Sequence, residues 1–244
     1  MEAANARPQS SEMTPGPGFR YRVNNRRPDP ETVHRFSGFG AADVSDMMNR
    51  LYTMSPAIKP MTPRELRILG PACTVKVFPG DNLMVHKSLD LAKPGDVLVI
   101  DASSSMMTAV IGDLVSTKAR HRGIAGVVVD GLVRDLDGIL ALGDLPVFAR
   151  GTTPLGPLHR GPGEVNYPVS VGGIVVNPGD VVVGDADGVV VVPQDSAASL
   201  LDRLDARAAS MAAYQSAVAR GDFDNAWVDR TLVADGVEEA PALD

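Results

Sequence analysis

The sequence predicts an α/β layered fold, a β-rich core with flanking helices, and three observations carry that expectation. Helix-spaced and β-branched segments alternate from about residue 38 to residue 150, the pattern of strands joined by helices. The stretch "VSVGGIVVNPGDVVVGDADGVVVVP" (169–193) then alternates valine runs with Gly, Asn, Pro and Asp turns. After it, "SAASLLDRLDARAASMAAYQSAVARG" is alanine-rich and reads as a helix.

The elements follow in order. Residues 1–30 are rich in Pro, Asn, Arg and Ser with few aliphatics, a composition that buries little surface; a flexible N-terminal arm is expected, one that could lie on a neighbouring subunit. In "GFGAADVSDMMNRLY", Val44, Met47, Met48 and Leu51 recur at helical spacing with Ser45 and Asp46 on the polar side, which predicts the first core helix. "GPACTVKVF" (70–78) and "GDVLVIDA" (95–102) are β-branched runs bounded by Gly and Pro, hence strands. Between them "NLMVHKSLDLA" sets Leu83, Val85, Leu89 and Leu91 among helix formers. "ASSSMMTAVIGDLVSTKARHRG" begins small and polar and turns helical, with Gly123 at a C-cap position. "IAGVVVDG" then reads as a strand, "LDGILALG" as a short helix and "LPVFAR" as a strand. The catalytic core is expected over 31–195, with a C-terminal helix and tail over 196–244. Met47, Met48, Met106 and Met107 read as core filling.

One echo recurs: "KPGDVLVID" at 93–101 and "NPGDVVVGD" at 177–185. The intervening segments do not match, so the repeat signifies one turn-to-strand geometry used twice rather than a duplicated domain.

Bulk properties exclude several classes. With 244 residues the chain is long enough to bury a sizeable core. A net charge of −7 and only short basic runs such as "RHR" (120–122) exclude a nucleic-acid partner, which needs clustered Lys and Arg. Cys73 is the only cysteine, so no internal disulfide or multi-thiolate zinc site can form. No signal-peptide core and no run of about 20 apolar residues is present, so a soluble cytoplasmic protein without a membrane partner is expected.

The chemistry concentrates in "GDLVSTKARHRGIAGVVVDGLVRDLDGI" (112–139). If the helix starting near Gly112 packs antiparallel to the strand near 126–130, the start of the helix and the end of the strand share one edge. Asp113, Arg134 and Asp135 then share one rim, where α/β proteins place ligands. Either aspartate alone could serve as a helix cap or dipole partner. Taken together, beside glycines at 112, 123, 126 and 131, they suggest a ligand site. Backbone N–H groups of Gly112, Asp113, Leu114 and Val115 suit a carboxylate, and Arg134 grips one bidentately. Asp135, supported by Asp113, supplies hard oxygens of the kind Mg²⁺ or Mn²⁺ prefers. An anion seat beside a hard Lewis acid suits enolate stabilisation.

Other candidates have plainer readings. His86 lies in a predicted helix and His159 in a loop, where lone histidines are usually structural or solvated. Lys87 and Lys118 stand in no apolar run that would depress an amine for imine chemistry. No glycine-rich nucleotide loop of the kind a methyltransferase needs is present.

The pattern of Asp113 followed by Arg134 and Asp135, with "GPACTV", "DNLMVHKSLDLAKPGDVLVID", "GPGEVNYPVSVGG" and "NPGDVVVGDADGVVVVP", resembles the divalent-metal-dependent 4-hydroxy-4-methyl-2-oxoglutarate / 4-carboxy-4-hydroxy-2-oxoadipate aldolases, relatives of the regulator of ribonuclease E activity A. The likeness runs from about Phe36 to Pro193. It implies a layered β/β/α swivelling-domain core and a homotrimer, or a hexamer of two trimers, with sites at subunit interfaces. It implies that Asp135 contacts Mg²⁺ or Mn²⁺, that Asp113 holds a water of that ion, and that Arg134 and the amides of residues 112–115 bind a pyruvate-yielding 2-oxo acid. Retro-aldol cleavage of a 4-hydroxy-2-oxo acid, with oxaloacetate decarboxylation as a side activity, is the implied reaction. The family's non-catalytic regulators, which lack the aspartate after the arginine, and a dedicated 2-oxo acid decarboxylase are the alternatives. One departure stands out: the aldolases carry a glutamate on the C-terminal helix, whereas here Ser210 and Met211 occupy that region and no acid lies between Asp205 and Asp222.

Overall fold

The computed structural model describes residues 13–237, which divide into two compact units after Leu204. In chain order the first unit contains β1 (Phe19–Tyr21), α1 (Pro30–Arg35), α2 (Ala41–Met47), β2 (Lys59–Pro60), β3 (Ile68–Val77), α3 (Leu83–Leu91), β4 (Val97–Asp101), β5 (Ala109–Ile111) and α4 (Asp113–His121). It continues with β6 (Gly126–Asp130), β7 (Leu132–Val133), α5 (Leu136–Ala141), β8 (Val147–Ala149), β9 (Gly151–Thr152), β10 (Gly163–Val165), β11 (Val169–Val171), β12 (Ile174–Val176), β13 (Val181–Asp185) and β14 (Gly188–Val192). Helix α6 (Ala197–Ala219) crosses the boundary, and α7 (Ala226–Ala234) lies in the second unit.

The centre is a parallel sheet in which β3, β4, β6 and β8 are neighbours, in register at Cys73, Leu98 and Val127. Parallel strands need crossover connections, and the predicted helices provide them. Every residue of β4 and β6 is buried, as expected for strands covered on both faces. Leu98, Ile100, Val127 and Val129 meet Met84, Val85 and Leu89 of α3, Val115 and Ala119 of α4, and Ile139 of α5. Val97, Val99 and Val128 face the other way, against the β11–β12 hairpin and the inner residues Val182, Val189 and Val191. Phe36, Val44, Leu200, Leu201 and Leu204 close a further core on Val181, Val183, Val190 and Val192. Burial of each such large side chain contributes roughly 1.5–3 kcal/mol, and the result is the layered α/β fold that the sequence predicts.

A second, small parallel sheet of order β5–β7–β9 sits beyond the ends of β4, β6 and β8, each of its strands following one of theirs. Ala109–Ile111, expected in a helical stretch, is therefore a strand, and strands of two or three residues carry no readable period in the sequence.

Other expectations are corrected. Helix α2 stops at Met47 because Asn49 and Arg50 adopt left-handed backbone with φ of 56° and 64°. Val44 and Met48 are therefore buried while Leu51 is 72% exposed. Met106 and Met107 are 61% and 74% exposed and fill no core. The loop that carries them begins with Ser103 and Ser104, both left-handed, whose amides are bonded back to Asp101 and Asp130.

The Pro-Gly-Asp echo is one local geometry used twice. Gly95 and Gly179 take φ of +88° and +91°. In each turn the aspartate accepts the amide of the residue three earlier at 2.8 Å, Lys93 to Asp96 and Asn177 to Asp180. Each turn launches a strand that pairs with β3.

Within the segment 1–30, the described part is tied to the core. β1 runs parallel to β10, and Arg27 holds Asp96 through two hydrogen bonds of 2.8 and 2.6 Å. Residues 1–12 lie outside the described residues. The second unit is described by its own helices: Ser210 hydrogen-bonds the Arg207 carbonyl at 2.8 Å, and Thr231 that of Trp227 at 2.9 Å. Among the described residues no helix is long and apolar enough to cross a membrane.

Cys73 sits on β3 beneath Arg27 and Asp96, and burial, then the charge of Asp96, pushes its thiol up to about 12. The native thiol is therefore inert: we expect no reaction with a disulfide reagent at pH 8 until denaturant is added. Because the folded value lies above the ordinary 9.0, stability is fully present below that pH and is lost as pH rises toward about 12. Reaction of Cys73 in the native protein at a rate matching a free thiol would overturn this.

Candidate active site

Strand β7 ends at Val133, and the next residue, Arg134, donates its amide to the Ile111 carbonyl at the end of β5 at 3.0 Å. Gly112 follows Ile111 and starts α4. The small parallel sheet thus brings the 112–115 and 134–135 segments side by side, as the antiparallel packing of helix and strand predicted.

The contact is close because Gly112 has no side chain. A Cβ there would stand 2.5 Å from Asp135 Oδ2 and 3.0 Å from Arg134 Cγ. Gly138 and Gly156, which no sequence motif marks, clear space in the same way for Asp113 and for the Arg134 guanidinium. Substituting Gly112 by Ala is expected to lower activity at least about tenfold while changing Tm little, since the clash falls on mobile side-chain ends; wild-type turnover in that variant would show that the close approach is dispensable.

Asp135 is a non-glycine residue in the left-handed region, φ 52° and ψ 45°, at a cost of about 1–2 kcal/mol. It stands at the N-cap position of α5 but makes no side-chain cap bond. Its carboxylate instead meets Arg134 Nε at 3.1 Å, both side chains being about two-fifths exposed at 41% and 43%. An ion pair so exposed contributes little stability, so neither capping nor stability accounts for the arrangement. Asp113 occupies the first turn of α4, also without a cap bond, and accepts the Leu114 amide at 2.7 Å. That takes one of the amides expected to seat an anion.

These groups line one cleft of about 310 Å³: Gly112, Asp113, Leu114 and Val115 on one side, Arg134 and Asp135 on another. The remaining wall carries residues that the sequence reading set aside. Asn82, His86, Lys118 and His159 face the same space. Buried Asn82 donates to the Val110 carbonyl at 2.9 Å and meets His159 Nδ1 with its oxygen at 2.6 Å. Because the amide must present its NH₂ to Val110, its oxygen accepts from His159, which places the proton on Nδ1. Asp81 accepts the Leu83 and Arg160 amides and so fastens this loop to the start of α3. Burial, then Lys118 and His159, hold His86 below the usual imidazole range. The sequence signal for this wall was present in "DNLMVHK" and "LHR", yet only the loop's docking on α3 brings the pieces together. A larger cavity of about 710 Å³ shares His86, but its walls are mainly apolar and its Lys87 and Asp90 pair with each other at 4.0 Å.

Could the cleft hold a divalent cation? Among the described residues no group of three or more His, Cys, Asp or Glu gathers for one. A softer, fully protein-ligated ion such as structural zinc does not fit. Two carboxylates at an open cleft do fit a hard cation that keeps most of its water, as magnesium and manganese do.

Comparison with known proteins agrees with this fold. The family model "RraA-like: Aldolase/RraA" matches residues 41–191. A Halalkalibacterium halodurans protein named "Putative 4-hydroxy-4-methyl-2-oxoglutarate aldolase" is 42% identical over 186 residues, 76% of this chain and 88% of that protein. Streptomyces coelicolor RraAS2, titled an unusual member of the RNase ES inhibitor RraA protein family, superposes with a TM-score of 0.71 at 28% identity, over 78% of this chain and 99% of its own. The RNA-processing inhibitor RraA from Thermus thermophilis is 33% identical with a TM-score of 0.58, over 64% of this chain and 93% of its own. The match spans most of the first unit and includes every residue of the Gly112–Asp135 rim, and on that ground the chain belongs to the Aldolase/RraA family.

Proposed function

We propose that the protein is a divalent-metal-dependent lyase. In this reading it cleaves a 4-hydroxy-2-oxo acid of the 4-hydroxy-4-methyl-2-oxoglutarate type to pyruvate and a second 2-oxo acid, and decarboxylates oxaloacetate as a side activity. The observation that carries this is the left-handed Asp135 held with Arg134 against the bare backbone of Gly112, a strained carboxylate that neither caps its helix nor stabilises the fold. Strain of this kind persists where function retains it.

The division of labour follows from chemistry. Asp135, with Asp113 beside it, would hold Mg²⁺ or Mn²⁺, which when bound supplies a Lewis acid for the 2-oxo group. Arg134 binds the 2-oxo acid head, its guanidinium fork matching the planar carboxylate and its charge drawing electrons toward C2. The first-turn amides of α4 orient the same head group through the helix dipole. Cleavage then removes the proton of the C4 hydroxyl and breaks the C3–C4 bond. C4 becomes the carbonyl of the second product, the electron pair passes to the C2 oxygen as an enolate, and protonation at C3 gives pyruvate.

We further propose that the working form is a homotrimer or a hexamer, which sedimentation of the full chain tests. The test of function is pyruvate release from 4-hydroxy-4-methyl-2-oxoglutarate and from oxaloacetate, with Mg²⁺, with Mn²⁺ and with chelator. Metal-dependent release from both is expected. Release from oxaloacetate alone points to a decarboxylase. No release under any metal, from a correctly assembled protein, returns the chain to the inhibitors whose fold it shares.

A further inference from the structure

The parts of the cleft rim arrive on three different strands. β5 runs into Gly112, β7 into Arg134 and Asp135, and β9 leads toward Gly156, whose missing side chain makes room for the Arg134 guanidinium. These strands are two or three residues long, and β5 pairs with β7 through a register irregularity between Ala109 and Ile111. Strands so short set their own register poorly, and a slip of one residue would turn Arg134 to the other face. The register must be fixed from outside the small sheet.

Each strand of the small sheet continues one of the large sheet, and the three junctions meet at a single carboxylate. Asp130, the last residue of β6, is buried at 3% exposure. Its Oδ1 accepts the Ser104 hydroxyl at 3.1 Å, from the loop between β4 and β5, and Arg150 Nε, from the link between β8 and β9. Its Oδ2 accepts the Gly172 amide of the β11–β12 turn at 2.7 Å. The backbone repeats the connection: Ser104 donates its amide to the Asp130 carbonyl at 3.1 Å, and Arg150 donates to that of Gly131 at 2.9 Å. The left-handed backbone of Ser103 and Ser104 aims both donors of Ser104 at Asp130.

A buried ion pair is weak evidence of a role in stability, because apolar side chains of similar volume often serve as well. A carboxylate does what they cannot: it holds several segments at once through directed bonds. Asp130 lies four residues before Arg134, about 13 Å along an extended strand, too far to reach a group bound at the rim.

We propose that Asp130, with Arg150 and Ser104, is a positioning residue: it fixes the register in which β5, β7 and β9 present Gly112, the Arg134–Asp135 pair and Gly156 to one space. The strained backbone of Asp135 persists because its surroundings are over-determined in this way. The catalytic consequence rests on the lyase reading, whereas the structural one is measured without turnover.

The test uses the full chain and three variants. Asp130→Asn combined with Arg150→Met removes both charges and leaves an oxygen for the Gly172 amide, so Tm is expected to stay within about 5 °C of wild type. Ser104→Ala removes one bond at an exposed residue and is expected to fold as wild type does. Hydrogen exchange reads the register directly, because the Arg134 amide is held by the Ile111 carbonyl and the Thr153 amide by that of Val133, each at 3.0 Å. Both amides are expected to exchange at least about tenfold faster in the double variant, and only that of Arg134 in Ser104→Ala, with the amides of β4 and β6 unchanged. With Mg²⁺ present, kcat for pyruvate release is expected to fall about 10²-fold in the double variant, with Arg150→Lys alone lying between it and wild type. Wild-type exchange at both amides in the double variant, or faster exchange with kcat unchanged, would overturn the inference; so would a loss of turnover that only follows Tm. Ser104→Ala carries the same test if the double variant does not fold. A wild-type protein that releases no pyruvate sinks the lyase reading instead, and the exchange measurement then decides by itself whether Asp130 holds the three strands in register.

Discussion

Replacing Asp135 by Asn is expected to lower kcat/KM for metal-dependent pyruvate release by at least about 10³-fold, at the upper end of what loss of one electrostatic stabiliser costs. The reason is specific to carboxylate chemistry. Asn keeps the size and one oxygen but loses the charge that holds a hard divalent cation. Calorimetric titration with Mg²⁺ should show binding lost in parallel, a readout that does not depend on turnover. A companion variant separates chemistry from folding. Asp135 stands at φ 52°, where glycine is at ease. Asp135→Gly should therefore lose activity as completely as Asp135→Asn while its Tm holds or rises, since about 1 kcal/mol of backbone strain is relieved. The exposed pair with Arg134 offsets little of that gain. A variant with lowered Tm and preserved turnover would reverse the assignment and make Asp135 a structural residue.

Replacing Arg134 is expected to have the second-largest effect. Arg134→Lys keeps the positive charge and removes the planar fork, so kcat/KM for a 2-oxo acid should fall about 10²-fold; Arg134→Ala should cost about tenfold more. The fall should appear in both kcat and KM, because the fork binds the head group and steadies the charge that develops at C2. Gly156 and Gly112 leave room for the guanidinium on two sides. Lysine in that space can reach a carboxylate oxygen but cannot grip two. A Lys variant with wild-type constants would show that only charge matters at this position.

Much of this was readable in the linear order, and for identifiable reasons. Strands β4 and β6 are buried on both faces, so their apolar runs are continuous and stand out between Gly and Pro. The two Pro-Gly-Asp turns announce themselves because a left-handed glycine and a side chain that bonds back to the turn are written in three adjacent letters. Asp113, Arg134 and Asp135 could be placed on one rim because helix and strand directions alternate in such folds. The strands missed were those of two or three residues, β5, β7 and β9, which exist only because each continues a neighbour in the large sheet. Methionines 106 and 107 were misplaced because apolar character alone does not say which way a loop turns.

What the sequence by itself determined is the α/β alternation, the turn chemistry and the identity of the acid and arginine at the rim, since each is a local property of a few consecutive residues. What only the tertiary structure decided is the other wall of the cleft. Asn82, His86, Lys118 and His159 come from two helices and a loop, and no local pattern links them. Their meeting depends on α3 and α4 covering the same face of the parallel sheet and on Asp81 drawing the 158–160 segment onto α3. A lone histidine or lysine in a sequence is read by its likeliest surroundings; its actual neighbours are set by packing between distant segments.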